Sequence, residues 1–536
     1  MNTTRYLGAL AALATVSCAC GAAPAATWTG TWSAPVLDME LVNGNNQPIQ
    51  LAQKTVRQSL RASLGGTQVR VRLSNLFGRQ PVTLRDVHIA RATSDQGINK
   101  STDQVLSFGG QGSVTIQPGQ EVSSDPVAYK IARSTDYAVS FYIPAAVDPG
   151  HVTAHRQAWQ NIYTATGDVP ARAAITPVDT VGSYLFLTGV DVVNTSALGS
   201  VVTLGASITD GSNSSYGANK RWGNLLELRM ADANQPVAVL NAGLSGGQLL
   251  SDGSFGGPSA LNRFQRDVLA QAGVKWVISS DTAINDLSGH SNGHGQTDGS
   301  SPTFEQLSGA TAQLIAQAHA AGVKFLCSTL TPNVGRDPNS WTPTAEAIRE
   351  QLNAWYRSDA SGCDGIVDQD TATHDPAAPT QWRPEFNAGD SLHPNDAGTQ
   401  AIANAVNLKS FARNGLPPIA PSSTCGTLLP GQGIRKGQSL PSCDGRFSLV
   451  LQGDSNLVLT QGSTVLWQSN TSGRNASEFT LLADGDATLY DTAGNPLWDT
   501  VTTGLLSSQL VVQDDGNMVV YDADGTPVFA TNTCCH

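Results

Sequence analysis

Charge is scarce in this chain. Asp, Glu, Lys and Arg together make up only 14% of its 536 residues, and Lys and Arg nowhere form a cluster. Phosphate backbones are bound by basic stripes, so with a formal net charge of −12 nucleic acid is excluded as a partner. Spacings that bind zinc are missing too: there is no Cys-x-x-Cys and no His-Glu-x-x-His. Beyond the first 26 residues no segment reaches the ~20 apolar residues of a membrane span, so stable membrane insertion is not expected. What the chain has instead is 53 glycines and an abundance of Ser, Thr, Asn and Gln. That composition suits β-structure on an extracellular protein, with a neutral polyol or ester as partner.

Residues 1–25 read as a secretory signal peptide: Arg5, an apolar stretch from Leu7 to Ala14, then small residues ending in Ala23-Pro24-Ala25-Ala26. The expected location is therefore secreted, extracellular or periplasmic. A lipoprotein acylated at Cys18 is the weaker alternative, because the surrounding motif is poor. Cys18 and Cys20 leave with the signal. Six cysteines remain, Cys327, Cys363, Cys425, Cys443, Cys534 and Cys535, and an even count in an exported chain points to disulfides. Cys327 and Cys363 lie within one region and are placed to pair; the other four bracket the C-terminal module.

The length calls for several domains, and the hydrophobic rhythm changes twice. Residues 26–195 show short alternating runs, such as Gln68 to Leu73 and Tyr137 to Tyr142, broken by Gly, Asn and Pro. They read as an antiparallel, jelly-roll-like β-sandwich. Its His88, His151 and His155 have no partner spacing and read as surface or structural residues. Over 196–412 strands alternate with helices: Val201–Leu204, Val237–Leu240, Val274–Ser279, Val323–Ser328 and Ile366–Asp368 are the strands. Helical spacing appears from Trp222 to Arg229, from Phe304 to Ala320 and from Thr344 to Tyr356. This is the pattern of a parallel sheet, whose ligand site lies beyond the carboxyl ends of its strands. Residues 413–424 form a Pro- and Ser-rich linker. In 425–536 a polar motif starting at Gln452, Leu482 and Gln513 recurs at intervals of 30 and 31, and Trp467, Trp498 and Phe529 recur at 31. Such a period means three equivalent β-units around one core, with Gln, Asp and Asn of each motif expected on one strand face.

The loops after the parallel strands hold the candidate chemistry. After the first comes Gly205-Ala206-Ser207-Ile208-Thr209-Asp210-Gly211, where a serine between strand and helix can face a cleft. After the second, Asn241-Ala242-Gly243-Leu244-Ser245-Gly246-Gly247 offers a glycine backbone N–H; after the third, Ala283-Ile284-Asn285-Asp286 offers a side-chain amide. After the fifth, Asp390 and His393 stand three apart ahead of a helix, where a carboxylate can orient an imidazole that takes the serine proton. The competing assignment makes His393 a turn residue and Asn395 or Asp396 a helix cap. Four strand ends carrying serine, Gly, Asn and Asp/His in chain order argue against it.

That ordered set resembles the SGNH, or GDSL-type, serine esterase and lipase family across Val201 to Asn407. The resemblance implies a three-layer α/β fold with a flavodoxin-like parallel sheet and no cofactor or metal. It also implies a carboxylic ester hydrolase with Ser207, His393 and Asp390 as catalytic residues, and the N–H groups of Ser207 and Gly246 with the Asn285 amide as oxyanion hole. Trp28 to Val190, notably Trp28-Thr29-Gly30-Thr31-Trp32 and Arg72 to Gly78, is similar to the β-sandwich of one bacterial branch of that family. Two departures stand out. Ala206 replaces the family's Asp, which is expected to loosen the nucleophile loop, and Ala283 replaces a Gly, which is expected to displace Asn285.

The repeats resemble the Gln-x-Asp-x-Asn-x-Val-x-Tyr motif of bulb-type, mannose-binding lectins, which implies a β-prism over Cys425 to His536 that binds mannose-type glycans. The third repeat is intact at Gln513, Asp515, Asn517 and Tyr521. The first keeps Gln452, Asp454 and Asn456 but has Thr460 in place of Tyr, and the second has lost its Gln and Asn to Leu482 and Asp486. The sequence thus points to a secreted esterase acting on small or glycan-linked esters with a lectin tether. The alternatives are a sugar-binding protein with an inactive esterase domain and an extracellular lipase.

Overall fold

The computed structural model describes residues 27–233, 235–253, 255–288, 302–411, 421–422, 424–482, 485–492, 494, 496–502 and 508–535. The expected signal segment and most of the linker lie outside the described residues. Among the described residues, no helix is long and apolar enough to cross a membrane.

The N-terminal region is built from antiparallel sheets. A five-stranded sheet centres on Gly66–Ser74 and Leu187–Val193, and a seven-stranded one on Lys54–Ala62, Thr135–Ile143 and Val82–Arg91. Alternation makes each strand one-sided. Val69, Val71 and Leu73 from one sheet and Val139, Phe141 and Ile89 from the other meet in a single buried cluster. The two runs that alternate in sequence, Gln68 to Leu73 and Tyr137 to Tyr142, both lie within these strands.

The central region holds five parallel strands: β1 (Gly199–Gly205), β2 (Val237–Gly243), β3 (Val274–Ser279), β4 (Lys324–Ser328) and β5 (Gly365–Val367). Their spatial order is β2-β1-β3-β4-β5, so the order reverses beside β1, and ligand crevices form at such a switch point. Between the strands run α1 (Ser207–Asp210), α2 (Trp222–Asp232), α3 (Ile284–Leu287), α4 (Phe304–Ala320) and α5 (Pro343–Tyr356); α6 (Asp396–Ala405) follows the fifth. Thr303 and Gln306 form a reciprocal capping box at the start of α4, and Thr342 with Pro343 at the first helical position starts α5. Cys327 at the end of β4 is bonded to Cys363 just before β5.

The N-terminal and central regions share buried surface. Ala238 of β2 and Leu244 belong to the N-terminal hydrophobic cluster. Gly30 N–H donates to Ala272 O at 2.9 Å, and Arg133 reaches Glu227 at 3.0 Å.

The C-terminal region forms three four-stranded antiparallel sheets. Each repeat supplies three strands. The fourth comes from the segment ahead of the repeats: Thr427–Leu428 joins the third sheet, Gly433–Arg435 the second and Ser439–Pro441 the first. The recurring aromatics meet as expected, Trp467 to Trp498 at 5.1 Å and Trp498 to Phe529 at 5.8 Å between ring centres. Cys425 is bonded to Cys443. The expectation that all six cysteines pair is corrected here, because Cys534 and Cys535 are free and exposed. Once Cys425 has found Cys443, each of the last two is left only its immediate chain neighbour.

Candidate active site

β1 delivers the chain to Gly205, where no side chain fits: a Cβ there would lie 2.2 Å from both Asp281 Oδ1 and Thr209 Oγ1. Ala206 then turns the backbone so that Ser207 opens α1, and Gly211, at φ 105°, ends it in a conformation that favours glycine. Ser207 is 7% exposed, and its Oγ lies 2.8 Å from His393 Nε2. On the other side of the ring, Nδ1 lies 2.6 Å from Asp390 Oδ2. Asp390 Oδ1 accepts the backbone N–H groups of Leu392 at 3.0 Å and His393 at 2.8 Å, and the Asn213 amide donates to Oδ2 at 3.2 Å. Burial works to raise the Asp390 carboxyl, but the bonds from the His393 ring and backbone outweigh it and hold the group well below the usual carboxylate range. The capping role falls to Asn395, which accepts from Ala397 and Gly398, while Asp396 accepts from both the N–H and the hydroxyl of Ser215.

Gly246 and Asn285 line the same pocket as Ser207 and His393. Gly246 has φ 79°, and Asn285 Nδ2 donates to Gly247 O at 2.9 Å, which ties the third loop to the second. The next residue ties them again: Asp286 accepts the N–H groups of Leu249 at 2.7 Å and Leu250 at 3.0 Å. Burial raises the Asp286 carboxyl to about 7 against the pull of those N–H donors. The displacement expected from Ala283 does not occur. Its φ is −97°, a backbone any residue adopts, and Asn285 stays in the pocket.

Sequence reasoning missed several groups around this site. The carboxylate absent at Ala206 is supplied from the β3 loop by Asp281, which accepts Ile208 N–H at 2.8 Å and the Thr209 hydroxyl at 2.6 Å. Asp210 accepts both Ser245 N–H at 3.0 Å and Ser245 Oγ–H at 2.7 Å, fixing the residue before Gly246. Its other oxygen meets His155, which the N-terminal region contributes. Gln157 of that region also lines the pocket and accepts the Ser245 hydroxyl at 2.6 Å. Asp210 and Asp281 stood beside recognised motifs; His155 and Gln157 sit in a β-strand and its outgoing loop, where no spacing marks them. Among the described residues, no group of three or more His, Cys, Asp or Glu side chains is placed to hold a metal ion.

In the C-terminal region the repeated polar residues are not on one strand face, as the spacing suggests, but across a turn. Gln513 N–H donates to Asn517 O at 2.8 Å and Gly516 N–H to Gln513 O at 3.2 Å, with Gly516 at φ 89°. Gln452 to Asn456 and Leu482 to Asp486 close in the same way. The reason is turn chemistry: an Asp followed by a residue at positive φ reverses the chain. Asn517 Oδ1 accepts Thr531 Oγ1–H at 2.9 Å and Thr533 N–H at 3.2 Å. Asn456 does the same with Ser469 and Thr471, and Asp486 with Thr500 and Thr502. Gln513 Nε2 donates to Tyr521 OH at 2.7 Å, so the intact third motif is drawn together, with Asp515 binding Asn517 N–H at 2.9 Å. Asn456 is nearly buried and spends its amide on Gln468 at 2.8 Å; Asp454 is held by Asn456 N–H and Ser472.

Ser207, Gly246, Asn285 and His393 lie at the switch point of a parallel sheet, in one chain with a repeated β-rich region. Residues 203–401 match the GDSL-like Lipase/Acylhydrolase family model. The chain also has bulb-type lectin homologues. It is 39% identical over 61 residues to B-type lectin plumieribetin of Scorpaena plumieri, covering 11% of this chain and 53% of the relative. Curculin-2 of Molineria latifolia is 38% identical over 65 residues, covering 12% and 40%. The chain spans about half the length of the curated relatives it matches. Among solved structures, the mannose-specific agglutinin of snowdrop (Galanthus nivalis) bulbs, complexed with methyl-α-D-mannoside, is 30% identical, with 21% of this chain and 99% of that one covered and a TM-score of 0.18. The Japanese Marasmius oreades lectin is 34% identical, with 21% and 93% covered and a TM-score of 0.20.

Proposed function

We propose that this chain is an exported carboxylic ester hydrolase with a glycan-binding tether. The observation that carries the reading is the unbroken line Ser207 Oγ, His393 Nε2, His393 Nδ1, Asp390 Oδ2, with contacts of 2.8 and 2.6 Å. His393 takes the Ser207 proton as Oγ attacks the ester carbonyl; Asp390 stays ionised, orients the ring and stabilises its charged form. The N–H groups of Ser207 and Gly246 and the Asn285 amide hold the tetrahedral oxyanion. Loss of one such donor typically costs about 10²–10³ in turnover. His393 then returns the proton to the leaving alcohol and activates the water that releases the acid.

In this reading residues 1–25 are a signal peptide, 26–195 a β-sandwich, 196–412 the three-layer esterase domain, 413–424 a linker and 425–536 a β-prism lectin. The third repeat, with Gln513, Asp515, Asn517 and Tyr521, binds a mannose-type glycan. The first, with Gln452, Asp454 and Asn456, is weak because Thr460 stands where Tyr would be and Asn456 is committed internally. Holding the enzyme on a glycan surface raises the local concentration of glycan-linked esters. Hydrolysis of 4-nitrophenyl acetate by the full chain beside Ser207→Ala tests the esterase; activity that survives Ser207→Ala rejects this nucleophile.

A further inference from the structure

The loop after β4 sends one cation into the pocket. Arg336 lines it beside Ser207, Asn285, Ser288, Leu392 and His393, and no Asp or Glu is among the lining residues described. The guanidinium is anchored on one side only. Its Nη1 donates to Ser288 Oγ at 3.1 Å and to Asn333 Oδ1 at 3.4 Å, and its Cζ lies over the Trp341 ring, 5.8 Å from the ring centre. Every hydrogen bond it makes within the described chain leaves from Nη1. The Nε and Nη2 edge, which grips a carboxylate with two parallel bonds, is therefore uncommitted.

The nearby carboxylates do not take that edge. Asp390 is bonded to His393, Asn213 and two backbone N–H groups. Asp337 accepts from Asn339 and Ser340. Their charges act on Arg336 only from a distance, while burial lowers its pKa. A partly desolvated guanidinium with no carboxylate against it among the described residues, in the pocket of a chain whose net charge is −12, is a costly feature unless a ligand supplies the anion.

We propose that Arg336 is a specificity-determining residue and that the pocket selects esters carrying a carboxylate close to the scissile bond. This rests on the reading of Ser207 as nucleophile, since the same pocket must hold the ester carbonyl. The carboxylate belongs either to the acyl part, as in a dicarboxylic half-ester, or to the alcohol part, as in an acylated sugar acid.

Two matched substrate pairs separate these sources: 4-nitrophenyl hemisuccinate against 4-nitrophenyl butyrate, and O-acetyl methyl glucuronoside against O-acetyl methyl glucoside. The expected result is a charged-to-neutral ratio of kcat/KM above one for one of the pairs in the full chain. Arg336→Gln should reduce that ratio by about tenfold or more, and Arg336→Lys by less, because a charged hydrogen bond is lost in the first and weakened in the second. A ratio at or below one for both pairs, or one unchanged in Arg336→Gln, overturns the proposal. If no ester is cleaved at all, the esterase reading fails separately. The anion site is then judged by saturation-transfer NMR of monomethyl succinate with Ser207→Ala: binding abolished by Arg336→Gln upholds it, and no binding overturns it.

Discussion

His155, from the N-terminal β-region, lies 3.0 Å through Nε2 from Oδ1 of Asp210, three residues after Ser207, and both side chains are buried. Its Nδ1 meets Pro35 O at 2.8 Å. The opposite oxygen of Asp210 holds Ser245, so one carboxylate couples the N-terminal region to the loops of both Ser207 and Gly246. His155→Ala leaves a buried carboxylate oxygen without its donor, a defect that costs about 1–3 kcal/mol. We expect a lower urea midpoint by that measure, and kcat on a neutral ester reduced more than KM is raised.

Asp281 performs the shaping that a carboxylate at position 206 would perform. Asp281→Ala frees Ile208 N–H and the Thr209 hydroxyl, and a displaced nucleophile loop is expected to lower kcat roughly 10–100-fold. Ala206→Asp gains neither of those donors, which Asp281 already occupies, and adds a carboxylate at a fully buried position. It should lower stability by about 1–3 kcal/mol and leave activity no higher, as thermal melts and ester turnover would show.

Asp281 and His155 mark where the sequence stops being legible. Periodicity located all five parallel strands, because a buried strand leaves an apolar run, and the loops bring Ser207, Gly246, Asn285 and His393 to one pocket, with Asp390 bonded to His393. Asp281 and His155 were illegible because their partners are 72 and 55 positions away and no spacing rule joins them. The lectin-like turns failed differently. A polar residue at every second position fits a strand face and an Asp-Gly reversal alike, and the positive φ at Ser455, Gly485 and Gly516 decides for the turn.

Asp286 should leave a mark on the pH dependence of stability. Burial raises its folded pKa from 3.8 to about 7, so it folds preferentially with its proton on. That contribution is complete below the unfolded value, declines as the pH rises toward 7 and is gone above it, at roughly 1.4 kcal/mol per unit of separation. Urea unfolding between pH 4 and 9, intervals taken at about one unit, is expected to show this decline in the parent and a shallower one in Asp286→Asn.

The second repeat provides an internal control for the third. Asp486 stands where Asn517 stands, and its Oδ1 makes the same bonds to the Thr500 hydroxyl and Thr502 N–H that Asn517 makes to Thr531 and Thr533. The carbonyl-type oxygen is thus the structural half of this side chain, and under the proposed function the amide is the half that meets the glycan. Asn517→Asp keeps the first and deletes the second. Its thermal midpoint should stay within about 3 °C of the parent, since no buried bond is lost. Retention on mannose-agarose should fall to background, because a hydrogen-bond donor is replaced by a charged acceptor facing sugar hydroxyls. Retention equal to the parent's would mean that the third motif serves only to hold its turn.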